Sequence, residues 1–298
     1  MTKHTLTIAV VSLAMMICGA ANAAPLWTPA DISTELWLDA SDAATVTEIS
    51  GAISQWDDKS TNGRNATQAT AVNQPGYVLA EQNGLNVVRL DGTDDFFNLG
   101  TGLDWMAGES HVAFAVLKND NYTNLYGAAN GSSAGGSLHV GFTGSKASIT
   151  YRINFWGNDY YPPITANYVA GDYNFIRWSW QKGADKSVYA NAKLEQAGGN
   201  PAGTIAAMAG GGRIANVVSD AGQGVLDADL GELVFLKGNP SQDTIEKMEG
   251  YLAWKWGQQA NLPSGHTYAN AAPIPEPATL IFLAAGLPAL LKRKRQSR

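Results

Sequence analysis

The stretch Asn154-Phe155-Trp156-Gly157-Asn158-Asp159-Tyr160-Tyr161-Pro162-Pro163 holds the residue types that bind sugars. Aromatic faces lie against the C–H surfaces of a sugar ring, and amides and carboxylates read its hydroxyls. Trp156, Tyr160 and Tyr161 are the candidate platforms, Asn158 and Asp159 the candidate readers. The same aromatics also suit packing over an edge of the fold, and the residue types leave both roles open. A second group, Asp57, Asp58, Asp91, Asp94 and Asp95, sits in turns where carboxylates and backbone carbonyls could converge on a hard cation. Calcium is the metal such a set suits, with Asp94 and Asp95 as its first ligands. Against it, Asp and Asn build turns unaided, through side-chain bonds to nearby backbone N–H groups.

Other chemistries find little support. Gly131-Ser132-Ser133-Ala134-Gly135 matches the nucleophile-elbow pattern in form, but Gly136 and a strand from Ser137 follow where the elbow needs a helix. His111, His139 and His266 are dispersed without zinc-ligand spacing. Gly210 to Gly212 follows no strand and opens no helix, so it is no phosphate cradle.

The elements that would position these residues read as strands. Glu35 to Ala40, a segment ending in Ser54-Gln55-Trp56, Val87 to Leu90 and His111 to Lys118 carry strand patterns, the last apolar on both faces. Ile176, Trp178 and Trp180 alternate with Phe175, Arg177, Ser179 and Gln181, one apolar face and one mostly polar. Shorter strands are expected at Ser137 to Phe142, Ala147 to Ile153, Lys186 to Leu194, Arg213 to Val218 and Leu230 to Lys237. One helix is expected, Gln242 to Trp256, capped by Ser241 and closed by Gly257. Its apolar stripe is Ile245, Met248, Leu252, Ala253 and Trp256, with Glu246 and Glu249 turned to solvent.

Both ends carry address signals. Lys3 and His4 precede an apolar run from Leu6 to Ile17, and Ala21-Asn22-Ala23 supplies a small-x-small cleavage site, so a secretory signal peptide over residues 1–23 is expected. The only cysteine, Cys18, lies inside it, which leaves the body without disulfides. At the other end Pro275-Glu276-Pro277 is followed by 14 residues, Ala278 to Leu291, and by Lys292-Arg293-Lys294-Arg295. A helix of that length spans roughly 21 Å, short of the ~30 Å hydrocarbon core, and the basic cluster favours the cytoplasmic side. The globular part would then lie outside the cytoplasm. Setting aside Lys3, Lys292, Arg293, Lys294, Arg295 and Arg298, together with Glu276 of the tail, leaves 14 basic residues against 25 acidic ones, a net charge of −11. Such a body is a poor partner for nucleic acid.

The tail, Pro275-Glu276-Pro277 with its apolar run and basic cluster over 274–298, resembles the PEP-CTERM sorting signal. That resemblance implies processing by an exosortase-type membrane enzyme. The body resembles the LamG-like, concanavalin A-like family through Leu36-Trp37-Leu38-Asp39-Ala40-Ser41-Asp42, Gln55-Trp56-Asp57-Asp58-Lys59-Ser60, Asn62-Gly63-Arg64-Asn65-Ala66 and Val88-Arg89-Leu90-Asp91-Gly92-Thr93-Asp94-Asp95. Gly231-Glu232-Leu233-Val234-Phe235 and Glu249-Gly250-Tyr251-Leu252-Ala253-Trp254-Lys255-Trp256-Gly257 complete it. It implies an all-β, two-sheet antiparallel jelly-roll sandwich over 25–270 with one C-terminal amphipathic helix. It also brings structural or ligand-bridging calcium into view.

Asp227-Ala228-Asp229-Leu230-Gly231-Glu232 echoes the Glu-x-Asp-x-x-Glu pattern of concanavalin A-like retaining glycosidases, with Asp227 where those have Glu. On a regular strand Asp229 and Glu232 face opposite sides, so a shared site requires a bulge; otherwise the stretch is an acidic turn. The expectation is an exported, non-enzymatic envelope or matrix protein that binds polysaccharide or neighbouring surface proteins. A purely structural matrix protein is the second reading, and a degenerate glycosidase the third.

Overall fold

The computed structural model describes residues 27–121, 123–129, 135–145, 148–155, 157–199, 205–206, 211–217 and 225–273. Its strands are β1 (Leu36–Asp39), β2 (Val46–Ile49), β3 (Ala52–Trp56), β4 (Ala66–Thr67), β5 (Gly76–Gln82), β6 (Leu85–Asp91), β7 (Phe97–Gly100) and β8 (His111–Asn119). There follow β9 (Asn124–Ala129), β10 (Ser137–Ser145), β11 (Ser148–Phe155), β12 (Asn174–Trp180), β13 (Lys186–Ala190), β14 (Lys193–Gly198), β15 (Gly212–Ile214) and β16 (Asp227–Lys237). The α-helix α1 (Gln242–Lys255) comes last.

The strands form two antiparallel layers, and the fold is an all-β jelly-roll sandwich. One layer runs β11-β10-β9-β15-β7-β4-β3, with β2 outside β3; the other runs β5-β6-β16-β8-β12-β13-β14. A single register pair, Ala52↔Gly76, connects them. β1 continues past β6 along the same edge of β16, pairing residues 36–39 with 235–232.

Residue alternation explains a third layer. On β8, Ala113, Ala115 and Leu117 point into the core between the sheets, among Trp56, Tyr126, Phe142 and Trp178. Val112, Phe114 and Val116 point the other way, into a second core beneath α1. A strand apolar on both faces therefore lies between a sheet and a helix. The helix has its expected cap, Thr244 N donating to Ser241 Oγ at 3.1 Å, and its expected stop, Gly257 at φ +70°. Its stripe residues Ile245, Met248, Leu252, Ala253 and Trp256 are all buried.

Three expectations change. Glu249 is buried rather than solvated, because α1 lies over the polar face of β12 and Arg177 Nε donates to Glu249 Oε1 at 3.0 Å. The segment 186–194 is two strands, not one. Asn191 and Ala192, both at positive φ (53° and 61°), reverse the chain between β13 and β14. The acidic stretch 227–232 is the body of β16 rather than a turn before it. Within it the pairing with β8 slips between Leu230 and Glu232, a bulge at Gly231. A Cβ at Gly231 would stand 2.7 Å from Trp256, so only glycine fits there.

The two ends of the body meet, Trp27 N donating to Pro273 O at 2.9 Å. Residues 1–26 and 274–298 lie outside the described residues. Ala21, Ala23, Pro275, Glu276, Pro277, Lys292, Arg293, Lys294 and Arg295 are among them. Among the described residues no helix is long and apolar enough to cross a membrane.

Candidate functional site

The aromatic stretch is a strap. Residues 158–163 run back along β11, with Ile153 N donating to Tyr160 O (3.0 Å) and Tyr151 N to Pro162 O (2.8 Å). The chain then crosses to the far edge of the opposite sheet, where Thr165 N donates to Glu195 Oε2 at 2.7 Å and Asn167 Nδ2 to Leu194 O at 3.3 Å. It closes the open side of the sandwich.

This role uses up two of the five candidate sugar contacts. Tyr160 packs its ring over Gly198 and Gly199, where a Cβ would lie 3.1 to 3.3 Å from it. Asn158 is buried, and its side-chain oxygen accepts from Lys186 Nζ at 2.9 Å. Tyr161 is exposed, its hydroxyl donating to the neighbouring Asp159 at 3.3 Å. Trp156 lies outside the described residues. Tyr161 and Asp159 therefore reach solvent, while Tyr160 and Asn158 hold the strap down.

The acidic turns also separate. Asp58 accepts at one oxygen from Trp37 N and Ser60 N (both 2.9 Å) and at the other from Ser60 Oγ (2.6 Å) and Arg64 N (2.9 Å). Asp57 accepts from Gln55 Nε2 at 2.6 Å. Both are turn builders and do not join the other aspartates. Asp91, Asp94 and Asp95 do converge, their carboxylate oxygens within 4.8 Å of one another. Burial first, then the Asp91 and Asp94 charges, push Asp95 up to about 6. This donor set suits a hard cation, and it replaces Asp57 and Asp58 with Asp91.

The bulge in β16 does put Asp229 and Glu232 on one face, but that face is the one under α1. Arg89 clamps Asp229 with bonds of 2.6 and 2.8 Å, and Tyr173 adds a third at 3.2 Å. Glu232 is fully buried and accepts from four donors: Trp37 Nε1 (2.7 Å), Tyr251 Oη, Lys255 Nζ and Trp256 Nε1 (each 2.8 Å). Lys255 also reaches Asp39 at 2.7 Å, and Lys59 reaches the other Asp39 oxygen at 2.9 Å. Burial raises the Asp39 carboxyl, but Lys255, Ser41 and Lys59 outweigh it and hold it below its ordinary value. The carboxylates lock β16, β1 and α1 together, with no path for a substrate to Glu232.

A cleft of about 620 Å³ opens elsewhere, between the turn Asn62-Gly63-Arg64-Asn65 and the loop from Leu99 to Trp105. Asp58 sets the first wall through its bonds to Arg64 N and Asn65 Oδ1, the latter accepting from Asp58 N at 3.0 Å. Arg64 is steadied by Glu35 at 2.9 Å. The second wall is a short 3₁₀ turn, Asp104–Met106, pinned by buried Leu103 and Met106. That pinning leaves Trp105 half-buried at the cleft, its ring edge against His111 at 6.1 Å. Its Nε1 is buried, away from the cleft's open space, and has no hydrogen-bond partner. Asn62, Thr101 and Asp104 are exposed along the rim. An aromatic plane bordered by amides, a hydroxyl, a carboxylate and a guanidinium can bind a polyhydroxylated ring. Nothing in the strand pattern singled out Trp105; the available signal was an aromatic beside Gly100-Thr101-Gly102 and Asp104 between two strands.

No protein-family model and no curated protein matches the chain. Among solved structures it resembles domain 4 of an extracellular arabinanase from Geobacillus stearothermophilus, determined in complex with arabinotriose. The TM-score is 0.51 at 13% identity, covering 72% of this chain and 96% of that domain. A Trypanosoma rangeli sialidase with 2,3-difluorosialic acid matches at TM-score 0.48 and 14% identity over 69% of this chain and 31% of its own. The binding domain of botulinum neurotoxin serotype D matches at 0.45 and 13%, over 72% and 49%. The chain thus spans about a third and a half of these last two. The arabinanase domain shares the fold.

Proposed function

We propose that the protein is an exported, non-enzymatic surface or matrix protein that binds carbohydrate at the Trp105 cleft. The observation that carries this is the cleft itself, a half-buried tryptophan lining it together with Asn62, Arg64, Asn65, Thr101 and Asp104. The likeness to a domain crystallised with arabinotriose supports the same reading, since the two share a fold of nearly equal extent. In this reading the signal segment with Ala21 and Ala23 exports the chain. The Pro275-Glu276-Pro277 tail then holds it at the inner membrane until an exosortase-type enzyme processes it.

The test is retention of the purified chain on immobilised arabinan, other neutral glycans, acidic glycans and bacterial exopolysaccharide, with calcium and with chelator. Retention that Trp105→Ala reduces at least tenfold supports the reading. Retention on none of them leaves a structural surface protein. Retention sensitive to chelator brings Asp91, Asp94 and Asp95 into the site.

A further inference from the structure

The strap is fastened by a buried lysine with no carboxylate bonded to it. Lys186 leaves β13 and crosses beneath the strap, 1% exposed. Its Nζ donates to Ile153 O at 3.1 Å, to Asn158 O, and to Asn158 Oδ1 at 2.9 Å. The ring of Phe155 lies 3.9 Å away. Asn158 is itself 4% exposed, and its Nδ2 is buried without a hydrogen-bond partner. A buried ammonium and an unpaired amide NH₂ side by side are both costly, and both costs disappear if the two groups condense.

We propose that Lys186 and Asn158 form an intramolecular isopeptide bond. On losing one proton the amine keeps two hydrogens for the Ile153 and Asn158 backbone carbonyls, and its lone pair becomes free to attack the Asn158 carboxamide, whose oxygen lies 2.9 Å from Nζ. Nζ attacks Cγ, the Cγ–Nδ2 bond breaks, and the departing amide nitrogen takes the proton that Nζ gives up. The products are a secondary amide between the side chains and one molecule of ammonia, with no oxidant or cofactor required. Burial, opposed by the Asp159 charge, lowers the amine to about 8, so the nucleophilic form is accessible near neutral pH. Proximity supplies the rest, because the reacting groups are held in contact by the fold.

The bond would tie β13, in one sheet, to the strap along β11, in the other. With its only cysteine in the signal segment, the body has no disulfide to do this.

The deciding experiment is mass spectrometry of the purified, folded full-length chain and of its tryptic digest. The proposal expects a mass lower than the sequence mass by one ammonia. It also expects a branched peptide joining 153–177 to 183–193, with Lys186 uncleaved. In Lys186→Met and Asn158→Ala the ammonia loss should vanish. An ammonia loss that persists in Lys186→Met, with no branched peptide, is succinimide formation at an asparagine and overturns the proposal. Wild-type protein of full sequence mass, cleaved by trypsin after Lys186, overturns it too. That result needs neither variant to fold.

Discussion

The face under α1 and the Trp105 cleft are built from similar side chains, and their difference shows what chemistry each can do. Both set tryptophans beside charged groups. At Glu232 every donor meets an acceptor and no atom is left for a ligand; at Trp105 the ring is only half-buried and the polar rim of Asn62, Thr101 and Asp104 is exposed. A saturated buried network fixes structure, and exposed polar groups around an aromatic ring beside open space invite a ligand.

Breaking the saturated side should have the largest effect. Glu232→Gln removes the charge that Lys255 faces and aims an amide NH₂ at donors, costing about 3–5 kcal/mol. The melting temperature should fall by roughly 10 °C in calorimetry. Unchanged melting would mean that the network is decorative.

On the open side Trp105→Ala should lower glycan retention at least tenfold while melting falls by only a few degrees. That split between binding and stability sharpens the contrast with Glu232.

The acidic turn lies between these extremes. Asp95 is raised in the fold, so the folded state binds more protons than the unfolded chain between about 4 and 6. Its contribution is therefore favourable at low pH and is lost as pH rises through about 6. Asp95→Asn should raise the melting temperature by about 2–4 °C per kcal/mol recovered at pH 7.5, and by less at pH 5. Melting curves of both proteins at the two pH values check the sign, and calcium should stabilise only the wild type.

The smallest effect is expected at the strap's surface. Tyr161→Ala should leave retention and melting within error, because Tyr161 is exposed and bonds only its neighbour Asp159. Loss of retention there would move the site from the cleft to the strap.

The sequence showed the sandwich through its alternating strands and showed α1 through its cap, stripe and terminal glycine. It misplaced Glu249, which follows Ile245 by four residues and so falls within the buried arc; its charge hid this until Arg177 appeared opposite. The motif residues Trp37, Asp39, Asp58, Glu232, Lys255 and Trp256 were conspicuous because they hold the layers together. The bulge at Gly231 was readable as a requirement, but the face it serves depends on where α1 packs. Trp105 was missed because its partners, Asn62 to Asn65, lie some 40 residues away in the chain. The β4–β7 pairing brings the two walls together.

The most direct measurement is a nuclear magnetic resonance titration of the isotopically labelled protein with arabinotriose and then with the best-retained glycan. The Trp105 indole N–H and the Asn62 and Asn65 side-chain amides should shift together and saturate with one constant, while the Trp37 and Trp256 indole signals stay still. Shifts confined to Tyr161 and the strap, or none with any retained glycan, would contradict the cleft as the binding site.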